Sequence, residues 1–302
     1  MSAPAFAFAP PRPAPGPAPG SVRVVGALWR RELARYARDR SMLFGALSRT
    51  LLWLVILGFG LGATLREMEG YTYAQYILPG VATLNVLFAS LQSAFSLVYD
   101  REHGLFRQML ISPAPRHALM LGKVLGGATV ATIQGAIPLA LMPLIGVEPS
   151  LPGIACALLV MFATGIGLTG LGIVIATRVK SFEGFGSVSN GLIQPLYFLS
   201  GAIFPLKGII GGVGFLDIPP ALQEELRRHG VHAIGGGWVV ELPGWLELLV
   251  RLDPIAYPLD LMRLALLGFH QLPLGASVAV CIGFPLLVLV PALRCMERPA
   301  RC

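Results

Sequence analysis

Long apolar runs separated by short polar segments dominate this chain. Apolar runs of the length that crosses a bilayer, about 20 residues, fall at 43–65, 76–99, 123–147, 153–177, 184–206 and 273–293. The pattern predicts an all-α, polytopic membrane protein with six transmembrane helices, organised as one membrane domain over 43–293. An even number of spans places both termini on the same side of the membrane.

The segment before the first run has two parts. Residues 1–20 are rich in Pro, Ala and Gly, which predicts a disordered cytosolic tail. Residues 21–42 contain apolar side chains at helical spacing on one face and arginines on the other, which predicts an interfacial amphipathic helix in the inner headgroup layer. The predicted apolar face comprises Val22, Val25, Trp29, Leu33 and Tyr36. A soluble helix packed on a partner is the alternative.

Composition agrees with a membrane location. The 302 residues are 55% hydrophobic and 13% charged, with a mean hydropathy of +0.70, whereas soluble chains carry about 25% charged residues. The net charge of +7 reflects topology rather than nucleic-acid binding, because Lys and Arg accumulate in cytoplasmic loops. The side with the termini holds most of them, and the other side has only Arg66, Lys207, Arg227, Arg228, Arg251 and Arg263. We therefore expect an inner (plasma) membrane protein with both termini cytoplasmic, including the short tail 294–302.

Polar residues inside the spans are candidates for a substrate path. They include Arg49, Asn85, Gln92, Asn190 and Gln194. Each either faces a path or forms hydrogen bonds between helices. Arg49, about two turns into the first span, can instead extend to the nearby headgroups, which avoids the cost of a charge at full depth.

The loop after the second span has more structure than a simple connection needs. DREHGLFRQMLISPAPRHALMLGK, from Asp100 to Lys123, contains a compact apolar set, and Gly104 and Pro113 bracket a segment of about two helical turns. Such a helix can dock into a groove on a cytosolic partner or lie against lipid.

This loop resembles that of permeases of the ABC type-2 export family. Arg101, Glu102, Gly104, Leu110, Pro113, Gly122 and Lys123 match the family pattern, whereas Leu105 and Arg107 depart from it. SNGLIQPLYFLSGAIFPL (189–206) and LPGWLELLVRLDPIAYPLDLMRLALLG (242–268) resemble two further family segments, with Asp253 in place of the more usual Asn. Residues 207–241 look like an insertion, interpreted as a poorly ordered loop, a lid or a contact for an outer partner.

The resemblance implies a fold and partners. Two six-span subunits would pair, as a homodimer rather than a heterodimer, and two cytosolic ATP-binding-cassette ATPase subunits would drive them. Segment 241–268 would be a re-entrant element before the last span. The loop would be the coupling element, with Arg101, Glu102, Gly104, Leu105, Leu110 and Pro113 facing the ATPase subunit. Lipids are the other expected partners, and nucleic acid is not one.

The sequence also bears on catalysis. No G-x-x-x-x-G-K-[ST] string occurs, so ATP and Mg²⁺ are expected on the partner and no cofactor or metal on this chain, which is not expected to be an enzyme. Gly165, Gly167 and Gly170 spell G-x-G-x-x-G within the fourth span, where helix packing is the expected role.

The interpretation is an exporter permease for an amphipathic or lipid-linked substrate. A secondary carrier or channel is the alternative, disfavoured because the middles of the spans lack carboxylates.

Overall fold

The computed structural model describes residues 20–62, 70–102, 114–148, 150–179, 181–203, 209–210, 231–234, 237–240 and 244–297. It confirms the polytopic, essentially all-helical fold. The helices are α1 (Ser21–Arg38), α2 (Arg40–Leu52), α3 (Tyr73–Glu102), α4 (Arg116–Leu139), α5 (Leu151–Arg178), α6 (Phe182–Leu199), α7 (Gly244–Leu252), α8 (Ala256–Leu267) and α9 (Leu274–Glu297). α2 continues as a π-helix, Trp53–Leu61, and a 3₁₀ turn, Met142–Ile145, follows α4.

Five described helical segments are long and apolar enough to cross a membrane: Arg40–Gly60, Tyr73–Asp100, Arg116–Ile145, Leu151–Arg178 and Leu274–Arg294. They match five of the six predicted spans. The fifth predicted span corresponds to α6, which has 18 residues but is less apolar because it contains Glu183, Asn190 and Gln194. The count of six crossings stays a prediction.

Helix α3 lies at the centre of the bundle. Within its apolar window 83% of the residues are buried, against 22% for the first span and 28% for the last. The core around α3 contains Leu78, Leu87, Met161, Leu168 and Leu259. The first and last spans therefore present most of their apolar surface outward, away from the core of the bundle.

Glycines allow the helices of the core to approach closely. A Cβ on Gly165 would lie 3.1 Å from the Cα of Ala128 on α4, and one on Gly172 would lie 2.7 Å from the Cβ of Ala94 on α3. A Cβ on Gly167 would lie 2.5 Å from the ring of Phe284 on α9. The packing role predicted for the glycines of the fourth span is thus confirmed.

Contacts between helix ends define two sides of the bundle, named inner and outer after the predicted orientation. At the inner end the Phe182 N–H donates to Glu102 Oε1 at 3.2 Å, joining the end of α3 to the start of α6. At the outer end Tyr73 Oη donates to the Ile203 carbonyl at 3.1 Å, and Gln75 Nε2 to that of Ile145 at 2.9 Å. Helix α3 is therefore antiparallel to α4 and α6.

The N-terminal helix differs in position from the prediction. α1 ends at Arg38 and α2 begins at Arg40, so the boundary precedes residue 42. α1 packs along α4 of the same chain, and its protein-facing side includes Val24 and Glu32, both buried. Val22, placed on the predicted apolar face, is 85% exposed. The side of α1 that packs on α4 is therefore offset from the predicted apolar face, and at that contact Glu32 Oε1 lies 3.8 Å from Lys123 Nζ.

Part of the insertion forms a small antiparallel sheet in the order β1-β3-β2, with β1 Ile209–Ile210, β2 Val231–Ile234 and β3 Gly237–Val240. Ile209 pairs with Val239, and His232 pairs with Val239 from the other side. These strands are a local addition to the helical fold that the sequence pattern did not predict. The insertion's other residues, and the tails 1–19 and 298–302, lie outside the described residues.

Candidate functional site at the inner end

Five charged side chains meet where α1, α3 and α4 come together, and we call them the inner charge cluster: Arg31, Glu32, Arg35, Asp100 and Lys123. Lys123 Nζ donates to Asp100 Oδ2 at 3.2 Å and lies 3.8 Å from Glu32 Oε1. Arg35 Nη2 lies 2.8 Å from Glu32 Oε2, and Arg31 Nη2 lies 3.6 Å from Asp100 Oδ1. The cluster thus ties the N-terminal helix to both ends of the predicted coupling loop.

The three central groups of this cluster are removed from solvent. Glu32 is 3% exposed, Asp100 3% and Lys123 6%. Buried charges need close partners, because desolvation of each ion costs several kcal/mol that only good pairing offsets. Lys123 lies between the two carboxylates. Without it, Glu32 and Asp100 would be paired only with the more exposed Arg35 and Arg31. The cluster is therefore a junction whose geometry depends on every member.

Two glycines on α4 explain why α1 can reach this junction. A Cβ on Gly122 would lie 2.8 Å from Leu28 Cβ and 2.9 Å from the carbonyl oxygen of Val25. A Cβ on Gly126 would lie 2.7 Å from Glu32 Cβ. These positions leave no room for a side chain, so the glycines allow α1 to rest directly on the α4 backbone. Gly122 was noted in the sequence for its motif, and the structure supplies its physical role.

Glu102 connects the same region to α6. Its carboxylate accepts the N–H of Phe182, the first residue of α6, and Ser181 accepts the N–H of Gly184 at 3.1 Å. A carboxylate at a helix N-terminus satisfies a free backbone donor and interacts favourably with the helix dipole. Of the other predicted coupling residues, Arg101 is in α3 but its side chain is not described, and Gly104, Leu105, Leu110 and Pro113 lie outside the described residues.

Within the membrane, two of the predicted path residues form one network. Arg49 Nε donates to Asn85 Oδ1 at 2.7 Å, and its guanidinium lies 4.3 Å from the Phe88 ring centroid. Asn85 Nδ2 in turn donates to Thr50 Oγ1 at 2.8 Å and to the Gln134 carbonyl at 3.2 Å. The interpretation that Arg49 extends to the headgroups is wrong, because Asn85 and the Phe88 ring hold it against α3.

The remaining path candidates are not part of this network. Gln92 is exposed and lines a narrow cleft between α1 and α3, together with Glu32, Ser93 and Gln134. Asn190 and Gln194 are exposed one turn apart on α6, beside the stripe of its buried residues Ser189, Ile193 and Tyr197. The structure therefore separates the five candidates into a hydrogen-bonded pair, a cleft residue and an exposed pair.

The outer end has its own polar contacts around the predicted re-entrant element, α7 and α8. Arg263, 1% exposed, donates from Nη2 to the Gly201 carbonyl at 2.5 Å and lies 4.4 Å from the Tyr76 ring centroid. Asp260 accepts the N–H groups of Gln271 at 2.7 Å and Leu272 at 3.1 Å. The second and third sequence motifs thus meet here, at Gly201 and Arg263.

Asp253, between α7 and α8, is also buried. Its Oδ1 accepts the Ile255 N–H at 2.9 Å, while Oδ2 has no hydrogen-bond partner in the described part of the chain. Burial raises the pKa of Asp253 to about 7, and the bond from Ile255 opposes this rise. The family's more usual Asn could accept the same bond without a titrating charge.

Sequence reasoning did not identify the inner charge cluster. In the sequence Glu32 is one acid within a basic helix, and Asp100 and Lys123 are the ends of a loop. One signal was available, since a single acid inside an arginine-rich helix indicates a specific partner. Its partner could not be found from sequence, because Lys123 lies about 90 positions away and only the packing of α1 on α4 joins them.

Comparison with known proteins supports one family. The family model described as ABC-2 type transporter matches residues 23–216. Nodulation protein J of Rhizobium leguminosarum bv. trifolii is 25% identical over 260 residues, covering 85% of this chain and 86% of that protein. The inner membrane transport permease YadH of Escherichia coli (strain K12) is 22% identical over 264 residues, covering 85% and 88%. Nodulation protein J of Neorhizobium galegae is 25% identical over 280 residues, covering 89% and 92%.

Proposed function

The chain belongs to the ABC-2 type transporter family, and from that premise we propose that it is the permease subunit of an exporter driven by a separate ATP-binding-cassette ATPase. ATP and Mg²⁺ would bind that ATPase, since this sequence has no P-loop to hold the phosphates. The transported compound would be amphipathic or lipid-linked, which suits spans that are mostly apolar with scattered polar groups. Transport would be outward.

One observation carries the proposal: both ends of the 100–123 loop are held by specific contacts to other helices. Asp100 and Lys123 enter the inner charge cluster with α1, and Glu102 binds the N-terminus of α6. A partner that pushes on the loop therefore acts at once on α1, α3, α4 and α6. A connection with no transmitting role needs no such attachment.

The exposed polar face of α6 supports a path between two permease copies. Asn190 and Gln194 point away from the subunit's own core. Amide side chains facing lipid would lack hydrogen-bond partners, which is costly in hydrocarbon. A second copy of the chain, as a homodimer, would cover this face and place both amides beside the substrate. Arg49 and Asn85 would then steady the first span rather than contact the substrate directly.

The location follows from the same reasoning. The protein is a multi-pass membrane protein, and one relative is named an inner membrane transport permease. We assign this chain to the inner membrane as well, with both termini cytoplasmic, because the arginines of α1 lie at the same end of the bundle as Arg116 and Lys123.

The test is co-purification of an ATPase with the full chain from its native membranes, with the double variant Glu102→Ala/Gly104→Pro as the probe. The expected result is ATP hydrolysis that co-purifies with wild type and that falls at least about tenfold in the variant complex. Glu148→Ala is the matched control, because Glu148 is an exposed acid at the outer end, after the 3₁₀ turn. That control should hydrolyse ATP like wild type.

Two outcomes would contradict the proposal. If no ATPase accompanies the chain and transport survives ATP depletion, the chain is a secondary carrier or channel, the alternative that the sequence leaves open. If an ATPase accompanies the chain but both variants behave like wild type, the 100–123 loop does not transmit its action.

A further inference from the structure

An open cleft of about 580 Å³ lies beside α1 at the start of the first span, and the proposed transport mechanism assigns no ligand to it. Its walls are Arg31, Ala34, Arg35 and Arg38 of α1, together with Asp39, which links α1 to α2. The three arginines are spaced four and three positions apart, so they lie on one face of the helix. We call it the arginine cleft.

The arginines of this cleft keep donor capacity that the protein does not use. Arg31 and Arg35 each face one buried carboxylate, yet their side chains stay 45% and 37% exposed. Arg38 is exposed and has no carboxylate within 4.0 Å among the described residues. A guanidinium has five N–H donors, so each arginine can hold a further anion while its present ion pair persists.

The one carboxylate that lines the cleft, that of Asp39, already accepts hydrogen bonds within the protein. Asp39 Oδ1 accepts the Ser41 N–H at 3.1 Å and the Ser41 hydroxyl, capping the start of α2. The remaining carboxylates nearby, Glu32 and Asp100, are buried and paired with Lys123. The open volume is therefore lined by three arginines and by one carboxylate that already accepts hydrogen bonds from Ser41. This excess of positive charge favours an anionic occupant.

The surroundings of the cleft indicate what kind of anion fits. The first span begins at Arg40, and within its first turns Leu43 is 43% and Phe44 72% exposed, so apolar surface begins next to the charged one. Trp29, 38% exposed, donates from its indole N–H to Thr129 Oγ1 at 3.0 Å. Tryptophan of this kind is enriched at the boundary between headgroups and acyl chains. A small soluble anion would make no contact with the exposed apolar side chains of Leu43 and Phe44.

From these observations we infer that the arginine cleft is a binding site for the phosphate headgroup of an anionic phospholipid of the inner leaflet. Arg31, Arg35 and Arg38 hold the phosphate, and the acyl chains lie along the exposed apolar start of α2. A bound lipid then bridges α1 and α2, next to the inner charge cluster. This site is distinct from any substrate path between two copies, and its occupancy does not require ATP.

The experiment uses the purified full-length chain in phosphatidylcholine nanodiscs, without the ATPase, and titrates spin-labelled phosphatidylglycerol. The probe variant is Arg31→Gln/Arg38→Gln, and the matched control is Arg23→Gln/Arg30→Gln, which removes the same charge from exposed positions of α1 outside the cleft. We expect the probe to weaken phosphatidylglycerol binding about tenfold or more, and the control less than about threefold.

A second pair protects the test against misfolding. Arg38→Gln breaks no ion pair within the described residues and is compared with Arg30→Gln, with an expected loss of about fivefold against about twofold. Equal losses in probe and control would mean only general attraction of α1 to anionic lipid and would overturn the site. Unchanged binding in the probe, or displacement of the labelled lipid by millimolar inorganic phosphate, would overturn it as well. Failure here leaves the ATPase test of the exporter proposal untouched.

Discussion

The inner and outer ends of the bundle each bury a cation, and they stabilise it in opposite ways. At the inner end Lys123 is paired with two buried carboxylates, Glu32 and Asp100. At the outer end Arg263 has no carboxylate within 4.0 Å among the described residues, and it contacts a backbone carbonyl, that of Gly201, and the face of Tyr76. One end uses full charges and the other uses dipoles.

This difference determines what is left behind when a group is removed. Loss of Lys123 leaves two buried carboxylates with only the partly exposed Arg31 and Arg35 as partners, whereas loss of Arg263 leaves a neutral carbonyl and an aromatic ring. The inner end should therefore respond strongly to the loss of Lys123, which suits its place beside the loop that we propose receives a partner's movement. The outer end should be more tolerant of substitution.

The largest effect is expected for Lys123→Met. The substitution leaves Glu32 and Asp100 buried with only Arg31 and Arg35 nearby, and breaking a buried pair in this way costs about 3–5 kcal/mol of the free energy of unfolding. Denaturant unfolding of the purified chain in detergent would measure it. Adding Asp100→Asn to the same chain should restore part of the loss, because one of the two unpaired anions is then gone.

Arg251→Met is the control for this prediction, because Arg251 forms an exposed pair with Glu247 at 2.7 Å. Exposed pairs contribute about 0–1 kcal/mol, so the control should unfold nearly like wild type. Equal unfolding free energies for Lys123→Met and Arg251→Met would show that the inner charge cluster carries no special stability.

A smaller loss is expected for Arg263→Met at the outer end. The change removes a charge-assisted hydrogen bond to Gly201 and the contact with Tyr76, a loss of about 1.5–3 kcal/mol. The same unfolding measurement would compare it with Lys123→Met. If Arg263→Met lowered the free energy of unfolding as much as Lys123→Met, the dipole contacts of the outer end would contribute as much stability as the ion pairs of the inner end.

Gly122→Ala tests how tightly α1 rests on α4. The added Cβ would meet Leu28 and the Val25 carbonyl, and such overpacking costs about 1–3 kcal/mol. Gly283→Ala on α9 is the matched control, because a Cβ there meets nothing within 4 Å and alanine favours a helix by about 0.5–1 kcal/mol. Thermal unfolding midpoints should move in opposite directions, and a shift of both in the same direction would contradict the close seating of α1.

The last prediction concerns a pH dependence at the outer end. Burial raises the pKa of Asp253 from 3.8 to about 7. As the pH rises, Asp253 therefore loses its proton in the unfolded chain before it does so in the folded chain. Stability should therefore decline between about pH 4 and pH 7 and then level off. Asp253→Asn keeps the acceptor for the Ile255 N–H and removes the charge, so its thermal midpoint at pH 8 should be a few degrees higher. An identical pH profile for both chains would show that Asp253 is not the titrating group.

The first span shows how far sequence alone can go. Its apolar run predicted a crossing helix near 43–65, and the structure has a candidate span at Arg40–Gly60. The position of Arg49 in that helix was also clear. The partner of Arg49 could not be predicted, because a cation two turns into a membrane can reach either the lipid headgroups or a polar side chain such as Asn85.

Hydropathy, charge distribution and local motifs determined the membrane class, the approximate spans, the amphipathic N-terminal helix and the family resemblance. Each of these depends on neighbours within about 20 positions, which periodicity and composition record. Tertiary structure alone decided that Glu32 meets Lys123, that Arg49 meets Asn85 and that Arg263 meets Gly201. These pairs are distant in sequence, and they meet because close helix packing, permitted by residues such as Gly122 and Gly126, brings polar groups together where no water can replace a missing partner.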